Sequence, residues 1–151
     1  MAAQPYLDRF DEIVLETRIA LPKERVWELM VDRISDWWTP DILVNNSARA
    51  MVLEPFVGGR LFEDWGDGGG LLWATVTTLK KPERLELTGC IAAAGAVLGV
   101  VDFRFDDDAG GTLLKMSHRA IGELTAADRE EFAGGWQEVI GVVFKGFAEG
   151  Q

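Results

Sequence analysis

Apolar and polar residues alternate near the start of the chain. Ile13, Leu15, Thr17 and Ile19 fall on one side and Val14, Glu16 and Arg18 on the other, which predicts a strand over 12–20. Pro22 suits the first turn of a helix. Val26, Leu29 and Met30 then recur at helical spacing, which predicts a helix over 22–31. A second, short helix is predicted over 34–38, stopped by Pro40. Six alternating segments follow, at 50–54, 60–65, 71–79, 84–90, 97–106 and 112–121. The breaks between them hold turn residues, as in Gly66-Asp67-Gly68-Gly69-Gly70 and Asp107-Asp108-Ala109-Gly110-Gly111. Consecutive strands with such short connections form an antiparallel meander.

The chain ends in a pattern of helical period. Thr125 is a good N-cap, and Asp128 takes the place of the capping-box acid three residues on. Phe132, Trp136, Val139, Ile140, Val143 and Phe147 form one apolar stripe. Gly134, Gly135, Gly141 and Gly146 interrupt that helix, and each costs about 1 kcal/mol against Ala. Close backbone packing is the simpler reason for them; room for a guest molecule is the other. The order is therefore strand, two helices, six strands and a long helix. No repeat or linker divides it, so one α+β domain is expected over 1–151, its sheet folded over the helix.

Composition narrows the function. A hydrophobic fraction of 48% excludes a disordered chain. There are 25 acidic residues against 15 basic ones, for a formal charge of −10. Nucleic acid and anionic membrane surfaces call for clustered Lys and Arg, so neither is an expected partner. The longest apolar run, 91–101, has eleven residues, whereas a membrane span needs about 20. The opening MAAQPYLDRFDE lacks the basic-then-apolar order of a signal peptide, and a cytoplasmic protein is expected. Cys90 is the only cysteine and His118 the only histidine, which excludes an internal disulfide and the usual Cys- or His-rich metal sites. No metal or cofactor is expected.

Three other signals carry little chemistry. The glycines at 66–70 lack the Lys and Ser or Thr of a phosphate loop. Asp106-Asp107-Asp108 lacks the spaced ligands of a calcium loop. Cys90 has no basic neighbour to activate it and reads as structural. Glu63 and Asp64 point to opposite faces of a strand, so one of them is a candidate buried carboxylate with a raised pKa. Such a group and His118 would make an acid–base pair.

Several local stretches resemble one superfamily. Ile19-Ala20-Leu21-Pro22-Lys23-Glu24-Arg25-Val26-Trp27 is similar to its opening strand and Pro-started helix. Asp36-Trp37-Trp38-Thr39-Pro40 resembles its paired-tryptophan helix end, and Gly58-Gly59-Arg60 the glycine pair before its third strand. Gly111-Thr112, with alternation up to His118, resembles its last strand, and Gly135-Trp136 the helix that follows. Together they identify the helix-grip fold of the START and birch-pollen-allergen superfamily, in the branch of the activator of the 90-kDa heat-shock-protein ATPase. The resemblance runs from about 12 to 147. It implies a curved antiparallel seven-stranded sheet wrapped around the C-terminal helix, with a cavity between them.

The resemblance also implies candidate functions. The first is binding of a small apolar or aromatic molecule in the cavity. Alternatives are a cyclase or dehydratase using His118 as acid or base, and a module that activates a chaperone ATPase. Alternation assigns the cavity face: Phe103 and Phe105 on one strand, Met116 and His118 on the next, with Trp136 and Ile140 opposite on the helix. Trp38, Trp65 and Trp136 are placed at the wall or mouth, Phe62 joins the wall, and Trp73 is expected to face outward. His118 is either a polar handle for the ligand or a core histidine satisfied by a backbone carbonyl or a carboxylate. The apolar turn within 91–101 is expected to line the mouth, to cover it, or to pack against a second copy in a homodimer.

Overall fold

The computed structural model describes residues 8–151, and side chains from Glu12 onward. The first alternating segment forms β1 (Asp8–Ile19), with Ile13 and Ile19 buried and Val14, Glu16 and Arg18 exposed. Helix α1 (Lys23–Trp27) starts after Pro22 and widens into a π-type turn over Glu28–Asp32, and α2 (Ile34–Trp37) follows. Pro40 does more than stop α2: it opens a 3₁₀ turn, Pro40–Ile42. Its fixed φ suits a first helical position, where no N–H is needed.

The remaining strands are β2 (Ala50–Leu53), β3 (Arg60–Gly66), β4 (Gly69–Lys80), β5 (Arg84–Gly89), β6 (Val97–Asp108) and β7 (Gly111–Gly122). They form one seven-stranded sheet in the order β1-β7-β6-β5-β4-β3-β2, with every neighbouring pair antiparallel. The expected α+β class and meander are both present. Strands β6 and β7 run further than alternation suggested, because ladder pairing continues through polar turn residues, with Asp107 opposite Thr112 and Asp108 opposite Gly111.

Two bulges on β4 bend the sheet there. Leu61 pairs with Ala74 but Phe62 pairs with Leu72, which leaves Trp73 as an extra residue in β4. Thr77 is likewise extra between Val76 and Thr78 against β5. An extra residue on one strand raises the local twist and curls the sheet, here over the C-terminal helix.

That helix comprises α3 (Ala126–Trp136), a π-wound centre over Gln137–Phe144, and α4 (Lys145–Glu149). The predicted capping box is present. Thr125 Oγ1 accepts from the Asp128 N–H at 3.2 Å, and the Asp128 carboxylate accepts from the Thr125 N–H at 2.8 Å. Trp136, Ile140, Phe144 and Ala148, four residues apart, are the buried row. At 3.6 residues per turn such a row drifts around the axis. The wider i→i+5 winding turns less per residue and brings the row back toward the sheet. Phe132, Val139, Val143 and Phe147 of the expected stripe are half-buried beside it. Phe144 was not part of that stripe, yet its ring sits 4.8 Å from that of Trp37. At the far end, Glu149 Oε2 accepts from the Ala20 N–H at 2.9 Å and Lys145 Nζ donates to the Arg18 carbonyl, tying the helix to the end of β1.

The helix glycines are not explained by close packing. A Cβ added at Gly134, Gly135 or Gly146 would meet nothing within 4 Å, and one at Gly141 would meet only the Gln137 side chain. Gly134 is exposed, so Gly134→Ala is expected to stabilise the protein by about 1 kcal/mol through helix propensity. The check is the urea midpoint, which should rise; a fall would reveal a packing constraint at this position. Among the described residues no helix is long and apolar enough to cross a membrane.

Candidate functional site

Most residues expected to line a central cavity fill it instead. Phe103, Phe105, Met116, His118 and Ile140 are at most 2% exposed. Phe103 meets Trp136 edge-on at 6.0 Å, and Phe105 tilts against Trp27 at 5.1 Å. The void beside Phe103 and Met30 measures only about 10 Å³, the space of roughly one water. These side chains brace the fold at mid-sheet.

The open apolar volume lies at one end, a cleft of about 170 Å³. Trp38 and Ile42 bound it from the α2 side and Trp73 from β4. Ile91 and Ala92 come from the β5–β6 loop, and Phe132, Trp136 and Val139 from the helix. Gly135 also borders the cleft, and a Cβ added there would meet nothing within 4 Å. Trp38 meets Trp73 edge-on at 5.3 Å and Trp136 at 6.1 Å. Trp38 and Trp136, both expected at a cavity wall or mouth, border this cleft.

Three expectations need correction. Trp73 was expected to face outward but belongs to the cleft wall, because the bulge at Trp73 breaks the alternation on which the expectation stood. Phe62 lies on the opposite face from the buried Leu61 and Glu63, under the Arg60 guanidinium at 4.7 Å from its ring centroid. Trp65, expected at the wall or mouth, is 40% exposed and does not border the cleft. Within 91–101, Ile91 is buried and Ala92 borders the cleft, so part of this apolar turn faces inward. Both adopt left-handed backbone, with φ of 53° and 61°, a costly conformation for a β-branched residue. Leu98 and its cross-strand partner Ile121 remain 52% and 54% exposed on the outer face.

Glu63 is the buried carboxylate beside this site, with no exposed surface. Its two oxygens accept from the backbone N–H groups of Val44 (2.9 Å) and Asn45 (3.0 Å) and from the indoles of Trp65 (3.1 Å) and Trp73 (2.9 Å). Burial pushes its pKa up, but these four donors outweigh burial and hold it below the ordinary carboxylate value. The expected upward shift is reversed. Glu63 therefore sets the orientation of Trp73, one wall of the cleft.

His118 is held differently. The Trp136 indole N–H donates to His118 Nδ1 at 3.0 Å. An indole N–H only donates, so Nδ1 is unprotonated and the imidazole is neutral with its proton on Nε2. Phe132 packs edge-on against the ring at 4.9 Å. Burial lowers the pKa to about 4. A partner is thus an indole, where a carbonyl or carboxylate was expected. His118 on β7 and Glu63 on β3 are separated by β6, β5 and β4, four steps of about 4.8 Å along the sheet. They do not form an acid–base pair. Among the described residues no group of three or more His, Cys, Asp or Glu side chains is placed to hold a metal ion.

The sheet, the two short helices and the capped C-terminal helix match a known family over most of the chain. The model of the Activator of Hsp90 ATPase homolog 1-like proteins matches residues 20–146. The chain belongs to this family. Solved structures share the fold at low identity. An uncharacterized protein from Rhizobium leguminosarum superposes with a TM-score of 0.72 at 17% identity, over 95% of this chain and 99% of that one. CalU16 from Micromonospora echinospora gives 0.64 at 18% identity, over 91% and 75%. Ara h 8.0201 gives 0.68 at 11% identity, over 93% and 99%, so the same helix-grip fold is shared with that protein. No curated protein matches the sequence.

Proposed function

We propose that this protein binds a small apolar or aromatic molecule in the cleft between the sheet and the C-terminal helix. The observation that carries this reading is the cleft of about 170 Å³, walled by Trp38, Trp73 and Trp136 and left open on the helix side at Gly135. Ligand sites are concave and mostly apolar, with few polar groups. A dry cavity of about 150 Å³ is enough to hold benzene, so a guest of one or two rings fits. Membership of a superfamily that includes ligand-binding and polyketide cyclase-like proteins supports the same reading. Catalysis by His118 has less support, since His118 is not part of the cleft wall and its imidazole is buried and neutral.

The test is a tryptophan-fluorescence titration of the wild type and Gly135→Leu with fatty acids, sterols, flavonoids and one- or two-ring aromatics. Wild type should bind one class saturably. Gly135→Leu should lose at least about tenfold in affinity while remaining folded, because leucine is the better helix former and its side chain occupies the gap. Equal binding by both proteins would move the site elsewhere, and no saturable binding across the panel would refute the reading.

A further inference from the structure

One polar group stands out on Trp38, which borders both the cleft and the small void at mid-sheet. Trp38 is 3% exposed, and its indole N–H is the one buried side-chain polar atom among the described residues that has no hydrogen-bond partner. The other two indoles of the cleft are engaged, Trp73 with Glu63 and Trp136 with His118. A buried donor left unpaired is costly and uncommon. The cleft also opens, through Ala92, Glu131 and Phe132, into an outer groove of about 580 Å³. Glu123, Asp128 and Glu131 line that groove, and no Lys or Arg is among the described residues lining it. The formal charge of the whole chain is −10, so the path to the cleft carries negative potential.

We infer that Trp38 is the specificity-determining residue of the cleft, and that its guest is a one- or two-ring aromatic molecule with a neutral hydrogen-bond acceptor at the buried end and no negative charge. This rests on the proposed binding function. The ring system lies among the indoles, and a carbonyl or ether oxygen accepts from Trp38 Nε1–H. Carboxylates are the stronger acceptors by chemistry. They are nonetheless excluded here, because the acidic mouth repels them and nothing cationic in the cleft wall compensates for their desolvation.

Three probes of one shape separate these terms: 2-acetylnaphthalene, 2-ethylnaphthalene and 2-naphthoate. Affinities would be measured for the wild type and Trp38→Phe, which keeps an aromatic ring without the N–H. With wild type, the acetyl compound should bind about tenfold tighter than the ethyl compound, the difference a neutral hydrogen bond makes. In Trp38→Phe the two should bind alike. Naphthoate should bind more weakly than the acetyl compound, by a margin that narrows as salt is raised. A measurement on unaltered protein guards against a folding defect in the variant. In ¹⁵N-labelled wild type, the Trp38 indole proton, assigned through contacts to Trp37, should move downfield with the acetyl compound and not with the ethyl compound. Equal binding of acetyl and ethyl compounds with an unmoved Trp38 signal overturns the inference and leaves the cleft as a binding site. Naphthoate as the tightest probe overturns the charge rule. Failure of all three to bind overturns the inference together with the proposed function.

Discussion

Glu63→Gln should lower the stability of this protein by at least about 3 kcal/mol. The wild-type carboxylate offers acceptors to four donors, the N–H groups of Val44 and Asn45 and the indoles of Trp65 and Trp73. Glutamine keeps one acceptor oxygen and turns an NH₂ toward N–H groups that need an acceptor. Hydrogen bonds to a charged group contribute about 1.5–3 kcal/mol each, and leaving buried partners unmade costs a similar amount. For a chain of this length, 3 kcal/mol corresponds to a fall in Tm of roughly 6–12 °C, measurable by circular dichroism. The carboxylate has a depressed pKa in the folded state, so its contribution is complete above its unfolded value and fades as pH falls through the folded one. Glu63→Gln should accordingly flatten the acid limb of the stability curve below about pH 4.5. A loss under about 1 kcal/mol at neutral pH would show that the buried charge is not what anchors Trp73 and the loop at Val44.

The second large effect is a loss of stability in mild acid caused by His118. Folded, this imidazole has its pKa lowered from 6.5 to about 4 by burial. Between those values the unfolded chain binds a proton that the native state refuses. Stability from this group is therefore complete above about pH 6.5 and is lost as pH falls toward 4, by roughly 3 kcal/mol in all and about 2 kcal/mol at pH 5. Geometry reinforces the sign, since a proton on Nδ1 would displace the Trp136 indole N–H that it accepts. His118→Gln keeps an acceptor for that indole and does not titrate. The stability gap between wild type and His118→Gln, taken from urea melts at pH 7.5 and pH 5, should narrow by about 2 kcal/mol at the lower pH. A gap independent of pH would mean that His118 is protonated as readily in the folded protein as in the unfolded one.

Much of the architecture was legible along the chain. The alternation at Ile13–Ile19, the Pro22 helix start, the strand breaks and the Thr125–Asp128 cap are local signals, and each element formed where its signal stood. Trp38, marked by the paired-tryptophan helix end, and Trp136, marked by the helical stripe, both border the cleft. Misplaced residues failed for identifiable reasons. Trp73 turned inward because a bulge adds one residue to β4 and reverses the face of the residues after it, and bulges leave no clear mark in a pattern of period two. Phe62 was assigned to the wall although Leu61 and Glu63 take the inner face of β3. Phe144 was missed because a row spaced by four stays in line only when the helix is wound more widely than an α-helix.

By itself, then, the sequence determined the order and type of the elements, the family and the strongly acidic balance of charge. These depend on residue type and short-range periodicity, which neighbours along the chain set. Tertiary structure decided which side chains fill the interior and which leave it open. Phe103, Phe105, Met116 and Ile140 became packing, whereas Trp38, Trp73, Ile91, Gly135 and Trp136 became the wall of a cleft. Tertiary structure also decided that Glu63 is a charged clamp and His118 a neutral acceptor. Burial, pKa and hydrogen-bond partners depend on groups that meet only when the sheet and the helix close on one another, as when Trp136 of the C-terminal helix comes to donate to His118 on β7.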